Sequence, residues 1–254
     1  MSQKKVFFSN KRSENLCGIL GKPKSKSTKV IVMCHGLLSN KESKIYLILE
    51  NLLNEKGISI FRFDFSGHGE SEGKFEDTTI SGMADDILSS IDFLKKEGYK
   101  KIGVLGSSFN GSSIILAATK TKNIDTLILK SPVIDCGRSA RLIAKRNGLT
   151  AEDWKKKGFV NHIGSAGTKP LNYTFLKDAE NINIFKLIKK VKSPIFIVYG
   201  NADEVVSMDE MKRATNLIKE SQMKIVRGAN HLYTNPDHFK EAVTLIYEYI
   251  TKNF

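Results

Sequence analysis

The feature that most constrains this chain is the regular alternation of short apolar runs with stretches of helical spacing. Val30–Cys34, Ile58–Asp64, Lys101–Leu105, Thr126–Lys130, Pro194–Tyr199 and Gln222–Val226 read as strands. Helical stretches lie between and after them at Glu42–Glu55, Thr79–Glu97, Asn110–Thr121, Met208–Glu220 and Pro236–Lys252. In the last of these, Phe239, Ala242, Val243, Ile246 and Ile250 fall on one face, the spacing of a helix with a single buried side. Such alternation is satisfied by a mostly parallel sheet with helices on both faces, an α/β fold. Two earlier runs, Lys5–Phe8 and Leu16–Leu20, add an antiparallel edge and predict eight strands in all. The 254 residues suffice for one large core, and 41% hydrophobic with 26% charged residues is ordinary for a globular chain.

The connection that follows Lys101–Leu105 carries the chemistry. Gly106-Ser107-Ser108-Phe109-Asn110-Gly111 takes the chain from strand to helix in a tight turn, which projects the Ser108 hydroxyl from the sheet edge above the positive end of the helix dipole. The usual pattern for such a turn is G-x-S-x-G; here Asn110 takes the last position and the glycine follows at Gly111. Asparagine is the non-glycine residue that best tolerates unusual backbone angles. A serine hydroxyl needs a base to accept its proton, and the base needs an acid to set its tautomer. Asp203 lies just past the strand Pro194–Tyr199, and His231 lies in the loop after Lys224–Val226. Three suitable residues thus stand at three successive strand ends, in the order serine, acid, histidine. Glu204 and Asp135 are alternative acids, and each of the three could instead serve as a helix cap or an ordinary loop residue.

Two loops extend the pattern. Val30–Cys34 leads into His35-Gly36-Leu37-Leu38-Ser39-Asn40-Lys41, and Ile58–Phe63 leads into Asp64-Phe65-Ser66-Gly67-His68-Gly69-Glu70-Ser71, a D-x-x-G-x-G-x-S run. With the serine turn, these make the chain resemble an α/β-hydrolase of the serine esterase type, similar to the cinnamoyl (feruloyl) esterase and monoacylglycerol-lipase-like branch. The resemblance covers nearly the whole chain and is weakest between residues 135 and 190. It implies hydrolysis of carboxylic esters through an acyl-enzyme, with Ser108 as nucleophile, His231 as base, Asp203 orienting His231, and no cofactor. Acyl thioesters or amides would fit the same site. The backbone N–H groups of Phe109, next to the nucleophile, and Leu37, after His35-Gly36, are the implied oxyanion donors. His35 is expected to pin its loop, and Gly67-His68-Gly69 to support the site floor; metal partners for it are not apparent. Asn110 and Asn230 depart from the family's glycine and aspartate. Asn110 is the feature that would favour a non-catalytic ligand-binding homologue.

The alternation breaks between Asp135 and Lys190. This divides the chain into a core of residues 1–134 and 191–254 and a cap of residues 135–190, where the resembled family inserts a lid. Helical stretches are expected at Arg138–Arg146, Ala151–Lys157 and Tyr173–Ala179, with a glycine-rich link at Ile163–Gly167. Trp154, Phe159, Tyr173 and Phe175 are candidate pocket-lining residues, the alternative being a small core of the cap itself. Forty basic against 27 acidic residues give a net charge of +13, but the lysines are dispersed and no nucleic-acid motif accompanies them. A lysine-rich surface is expected in place of a nucleic-acid interface, and its field would draw in acidic esters. No run approaches the roughly twenty apolar residues that span a bilayer, so membrane insertion is not expected. Met1–Ser9 has charge and no long apolar stretch, unlike a secretory signal. Cys17, Cys34 and Cys136 are odd in number and lack C-x-x-C spacing, which suits free thiols in a reducing cytoplasm and implies no structural zinc. The expected partner is a small-molecule ester; a homodimer is left open.

Overall fold

A computed structural model describes residues 2–254; Met1, part of the opening segment weighed above, lies outside the described residues. β1 (Ser2–Ser9) and β2 (Asn15–Lys22) form an antiparallel pair, and β2 lies antiparallel to β4 (Ser59–Phe63). From β4 the sheet continues in parallel through β3 (Lys29–Cys34), β5 (Lys101–Ser108), β6 (Thr126–Pro132), β9 (Ile195–Gly200) and β10 (Ser221–Val226). The sheet thus has eight strands, in the order β1-β2-β4-β3-β5-β6-β9-β10, and the fold is that of the α/β-hydrolases.

Alternation along the central strands sends side chains to two separate cores, as the two-residue period of a strand requires. Ile31 and Met33 pack with Tyr46, Leu49 and Leu53 of α1 (Lys44–Glu55) and with Ile246 and Ile250 of α9 (Pro236–Asn253). Val30, Val32 and Cys34 face the other way, in one cluster with Ile87 and Ile91 of α2 (Ile80–Lys96) and Ile114 and Ile115 of α3 (Phe109–Ala118). The expected helix at Met208–Glu220 is shorter: α8 spans Met208–Thr215. By Glu220 the chain has rejoined the sheet, where the Glu220 carbonyl accepts the Ile195 amide at 3.0 Å. Among the described residues no helix is long and apolar enough to cross a membrane.

Between β6 and β9 the chain leaves the sheet through α4 (Cys136–Arg146), α5 (Ala151–Lys157), a two-stranded hairpin of β7 (Phe159–Gly164) and β8 (Gly167–Asn172), α6 (Tyr173–Asn181) and α7 (Ile184–Leu187). The hairpin replaces the expected glycine-rich link. Its strands pair Gly164 with Gly167 around Ser165-Ala166, and Gly167 takes φ 101°, a conformation that favours glycine. Thr168-Lys169-Pro170 lacks the apolar alternation of a core strand, which is why the sequence pattern does not announce it. The tip is tied to the loop after β3 by Ala166 N–H donating to the Leu38 carbonyl at 3.1 Å.

Candidate active site

Ser108 joins β5 to α3 with φ 56° and ψ −131°, a left-handed conformation costing a non-glycine residue about 1–3 kcal/mol. Two glycines let strand and helix close around it. A Cβ on Gly106 would lie 2.5 Å from Ile114 Cδ1, and one on Gly111 would lie 2.4 Å from Pro132 Cβ. Asn110 is not among the residues with positive φ, so the turn does not require glycine there. Fully buried, it donates from Nδ2 to the His35 carbonyl and ties the nucleophile helix to the loop after β3.

His231 Nε2 stands 2.9 Å from Ser108 Oγ, and its Nδ1 lies 2.8 Å from Asp203 Oδ2 and 3.0 Å from Oδ1. Asp203 Oδ1 also accepts the amides of Val205 and Val206, each at 2.8 Å. Burial by itself would raise the Asp203 carboxyl, but the bond from His231 and the two amides outweigh it and hold the group below the usual carboxylate value. An ionised Asp203 keeps the proton on Nδ1 and turns the Nε2 lone pair toward Ser108. The alternative acids lie elsewhere: Glu204 accepts the backbone amide of His231 at 3.2 Å, and Asp135 caps α4 by accepting Arg138 N–H at 2.9 Å. Lys130, near the end of β6, is one of the residues that line the cleft. Its ammonium is enclosed, 3.5 Å from the His231 carbonyl and 4.1 Å from the Tyr233 ring centroid. Burial pushes it down to about 8, against the opposing pull of Asp203.

The loops after β3 and β4 hold each other through their histidines. His35 Nδ1 bonds the Gly36 carbonyl at 2.9 Å, while its Nε2 accepts Phe65 N–H at 3.2 Å. His68 Nδ1 bonds the Ser66 carbonyl at 2.9 Å, and its Nε2 accepts Leu38 N–H at 3.3 Å. Each ring must be neutral, with its proton on Nδ1, for its Nε2 to accept the other loop's amide. Burial enforces this, pushing His35 down to about 4 and His68 to about 3. Beside them, Asp64 accepts Lys41 N–H at 2.8 Å, Lys41 Nζ at 2.5 Å and Glu70 N–H at 3.0 Å. Donor atoms of Cys17, Asp64 and Glu70 converge within 4.8 Å, and the Lys41 ammonium is the cation that bridges the two carboxylates.

The paired histidines set a pH dependence of stability. Their folded pKa values lie below the 6.5 of a free imidazole, so the unfolded chain binds more protons in the interval down to about 4. The histidine contribution is expected to be constant above pH 7 and to fall as pH drops from 6.5 toward 4, by roughly 3 kcal/mol for His35 alone. Urea unfolding between pH 8 and 4.5 measures this, and His68→Gln should flatten the slope; an unchanged midpoint from pH 7 to 5 would refute the account.

Ser108, His231, Leu37 and Phe109 line a cleft of about 620 Å³, roofed by Ser139, Leu142, Ile143 and Arg146 of α4 and by His162 to Ser165 of the hairpin. The Leu37 and Phe109 amides bond no acceptor among the described residues. None of Trp154, Phe159, Tyr173 and Phe175 lines the cleft, which corrects the expectation for the four aromatics. Trp154 is buried, donates from Nε1 to the Leu171 carbonyl at 3.1 Å and meets Tyr173 edge to face. Phe175 packs against the ring of Phe109, and the Lys157 ammonium sits over Phe159. So small an insertion spends its largest apolar surfaces on its own packing and on its seat against α3. Lys130 and the α4 stripe were not singled out from the sequence; the i, i+3, i+4, i+7 spacing of Ser139, Leu142, Ile143 and Arg146 is the signal that could have found the stripe.

A family model described as serine aminopeptidase, S33, matches residues 25–170, more than half of the chain. The chain belongs to this family. These hydrolases give it curated relatives in the mitochondrial palmitoyl-protein thioesterase ABHD10 of Bos taurus, 26% identical over 215 residues, and of Homo sapiens, 27% identical over 203. The alignments cover 82% and 77% of this chain but 66% and 64% of those proteins, so the chain spans about two thirds of the length of its curated relatives. Among solved structures, Est1E from Butyrivibrio proteoclasticus with ferulic acid bound superposes with a TM-score of 0.80 at 25% identity, covering 97% of this chain and 98% of that one. Mouse α/β hydrolase domain-containing protein 10 superposes at 0.77 with 22% identity, covering 98% and 99%, a likeness of fold.

Proposed function

We propose that this S33-family hydrolase cleaves carboxylic esters through an acyl-enzyme on Ser108. The observation that carries the reading is the 2.9 Å approach of His231 Nε2 to Ser108 Oγ, with Asp203 on the far ring nitrogen. In this mechanism Ser108 Oγ attacks the acyl carbon as its proton passes to Nε2. The developing oxyanion is met by the Leu37 and Phe109 amides; one such donor is worth about 3–4 kcal/mol of barrier in enzymes of this type. His231 then protonates the leaving alkoxide, and the acyl-enzyme forms. Water attacks it, giving its proton to His231, and the carboxylic acid departs as Ser108 is reprotonated. Three buried free cysteines fit a reducing compartment, and the cytoplasm is our assignment.

Thioesters are a second reading, favoured by the name of the curated relatives. The same steps serve, and a thiolate leaves with less need of the proton. Hydrolysis of p-nitrophenyl esters from acetate to palmitate, beside matched S-acyl thioesters of N-acetylcysteamine, separates the two. Turnover is expected, with a fluorophosphonate adduct on Ser108 by intact mass and peptide mapping. No turnover on either series together with no adduct would overturn the reading.

A further inference from the structure

Resting on that reading of Ser108, we propose that the cleft holds a subsite for an anionic group of the substrate, a carboxylate or phosphate, centred on Arg146. Ser139, Leu142, Ile143 and Arg146 all line the cleft, and their spacing puts them on one face of α4. Ser139 is 2% exposed and Ile143 6%, Leu142 is half-buried, and Arg146 at the end of the helix is exposed. The stripe spans about 10 Å along the helix at 1.5 Å per residue, from the buried Ser139 to the exposed Arg146.

Arg146 differs from the other arginines of α4. Arg138 donates to the Val205 carbonyl at 2.8 Å and lies 3.5 Å from Glu210, and Arg141 pairs with Glu180 at 2.5 Å. Arg146 has no carboxylate within 4.0 Å among the described residues. The acid of the cleft lining is Glu204, already engaged by the His231 amide, against Lys130 and Arg146. Burial pushes neighbouring His162 down to about 4, and the charge of Arg146 pushes the same way, so this imidazole is neutral at pH 7 and does not compete for an anion. A free guanidinium beside apolar side chains offers a carboxylate or phosphate a bidentate, charge-assisted pair.

A second observation comes from the buried end of the stripe. Ser139 Oγ is buried and has no hydrogen-bond partner among the described residues. A buried hydroxyl left unpaired is costly, and Ser139 is one of the residues that line the cleft, so a small rotation or opening there would let a polar atom of a bound molecule satisfy it. The substrate that fits has an apolar segment along Leu142 and Ile143 and a negative end at Arg146. The net charge of +13 would raise its encounter rate.

The test compares p-nitrophenyl half-esters of succinate, adipate, suberate and sebacate with the neutral esters of equal chain length. 3-Carboxy-4-nitrophenyl butyrate and 4-nitrophenyl butyrate form a second pair, which places the anion on the leaving group, and phosphorylated analogues distinguish phosphate from carboxylate. In one of these arms the anionic ester is expected to have the higher kcat/KM, and the ratio to fall at least about tenfold in Arg146→Glu, equal to 1.4 kcal/mol. Lys145→Glu, which changes net charge identically on an exposed neighbour outside the cleft, should keep the wild-type ratio. Equal losses in the two variants, or none in Arg146→Glu, would overturn the subsite. Calorimetric binding of free suberate and hexyl phosphate gives a readout independent of turnover. Binding weakened at least about tenfold by Arg146→Glu with no ester hydrolysis by the parent protein would keep the subsite and sink the esterase reading.

Discussion

Ser108→Ala is expected to lower kcat on p-nitrophenyl butyrate by about 10⁵–10⁶-fold while leaving KM within a few-fold. The hydroxyl forms the bond that the reaction requires, so its removal takes away the covalent path and not merely one contribution to it. Residual turnover of about 10³–10⁴ over water should persist, because the Leu37 and Phe109 amides still meet an oxyanion and the cleft still binds ester. The variant should fold: alanine keeps the φ 56° that serine bears, and the lost Oγ contact is a single hydrogen bond to His231. Steady-state kinetics alongside thermal unfolding separates chemistry from stability. A decrease below about tenfold with unchanged melting temperature would mean that Ser108 is not the nucleophile.

Asp203→Asn is expected to be the next most damaging change, lowering kcat by about 10³–10⁴-fold. The amide oxygen can still accept Val205 and Val206 N–H, so the loop survives. Its nitrogen, placed toward His231 Nδ1, favours the tautomer with the proton on Nε2, which cannot accept one from Ser108. Glu204→Gln is the matched control. Glu204 touches the backbone amide of His231 and not the ring, and glutamine retains an oxygen to accept it, so a loss under about tenfold is expected. Similar losses in the two variants would show that Glu204 shares the role of acid. The pair is informative because the two residues are adjacent in sequence and separated only by where their carboxylates point.

Much of the fold could be read locally. Val30 to Cys34 alternates between two cores, Thr79 caps α2 and Pro236 opens α9, so these elements fell close to their expected bounds, whereas α8 starts after its Ser207 cap as expected but stops at Thr215. The hairpin Phe159–Asn172 could not be read this way, because its strands are short, largely exposed and polar, and their pairing is set by a two-residue turn and by a bond to Leu38 more than a hundred residues away. The aromatic residues of the insertion misled for a related reason. Large apolar side chains signal burial, and nothing in their spacing says whether they are buried against one another or beside a cleft.

The sequence by itself determined the alternation of strands and helices, and with it a mostly parallel sheet, since such strands can only bury both faces under crossover helices. It also determined which residue types stand at the strand ends, Ser108, Asp203 and His231, because that depends only on chain order. Tertiary structure decided which acid faces the imidazole, that Asn110 braces the His35 loop, that His35 and His68 clamp opposite loops, and that Arg146 among three arginines of α4 is left without an acid. Each of these is a matter of side chains from distant segments meeting at about 3 Å or failing to, a distance that no local pattern of apolar and polar residues encodes.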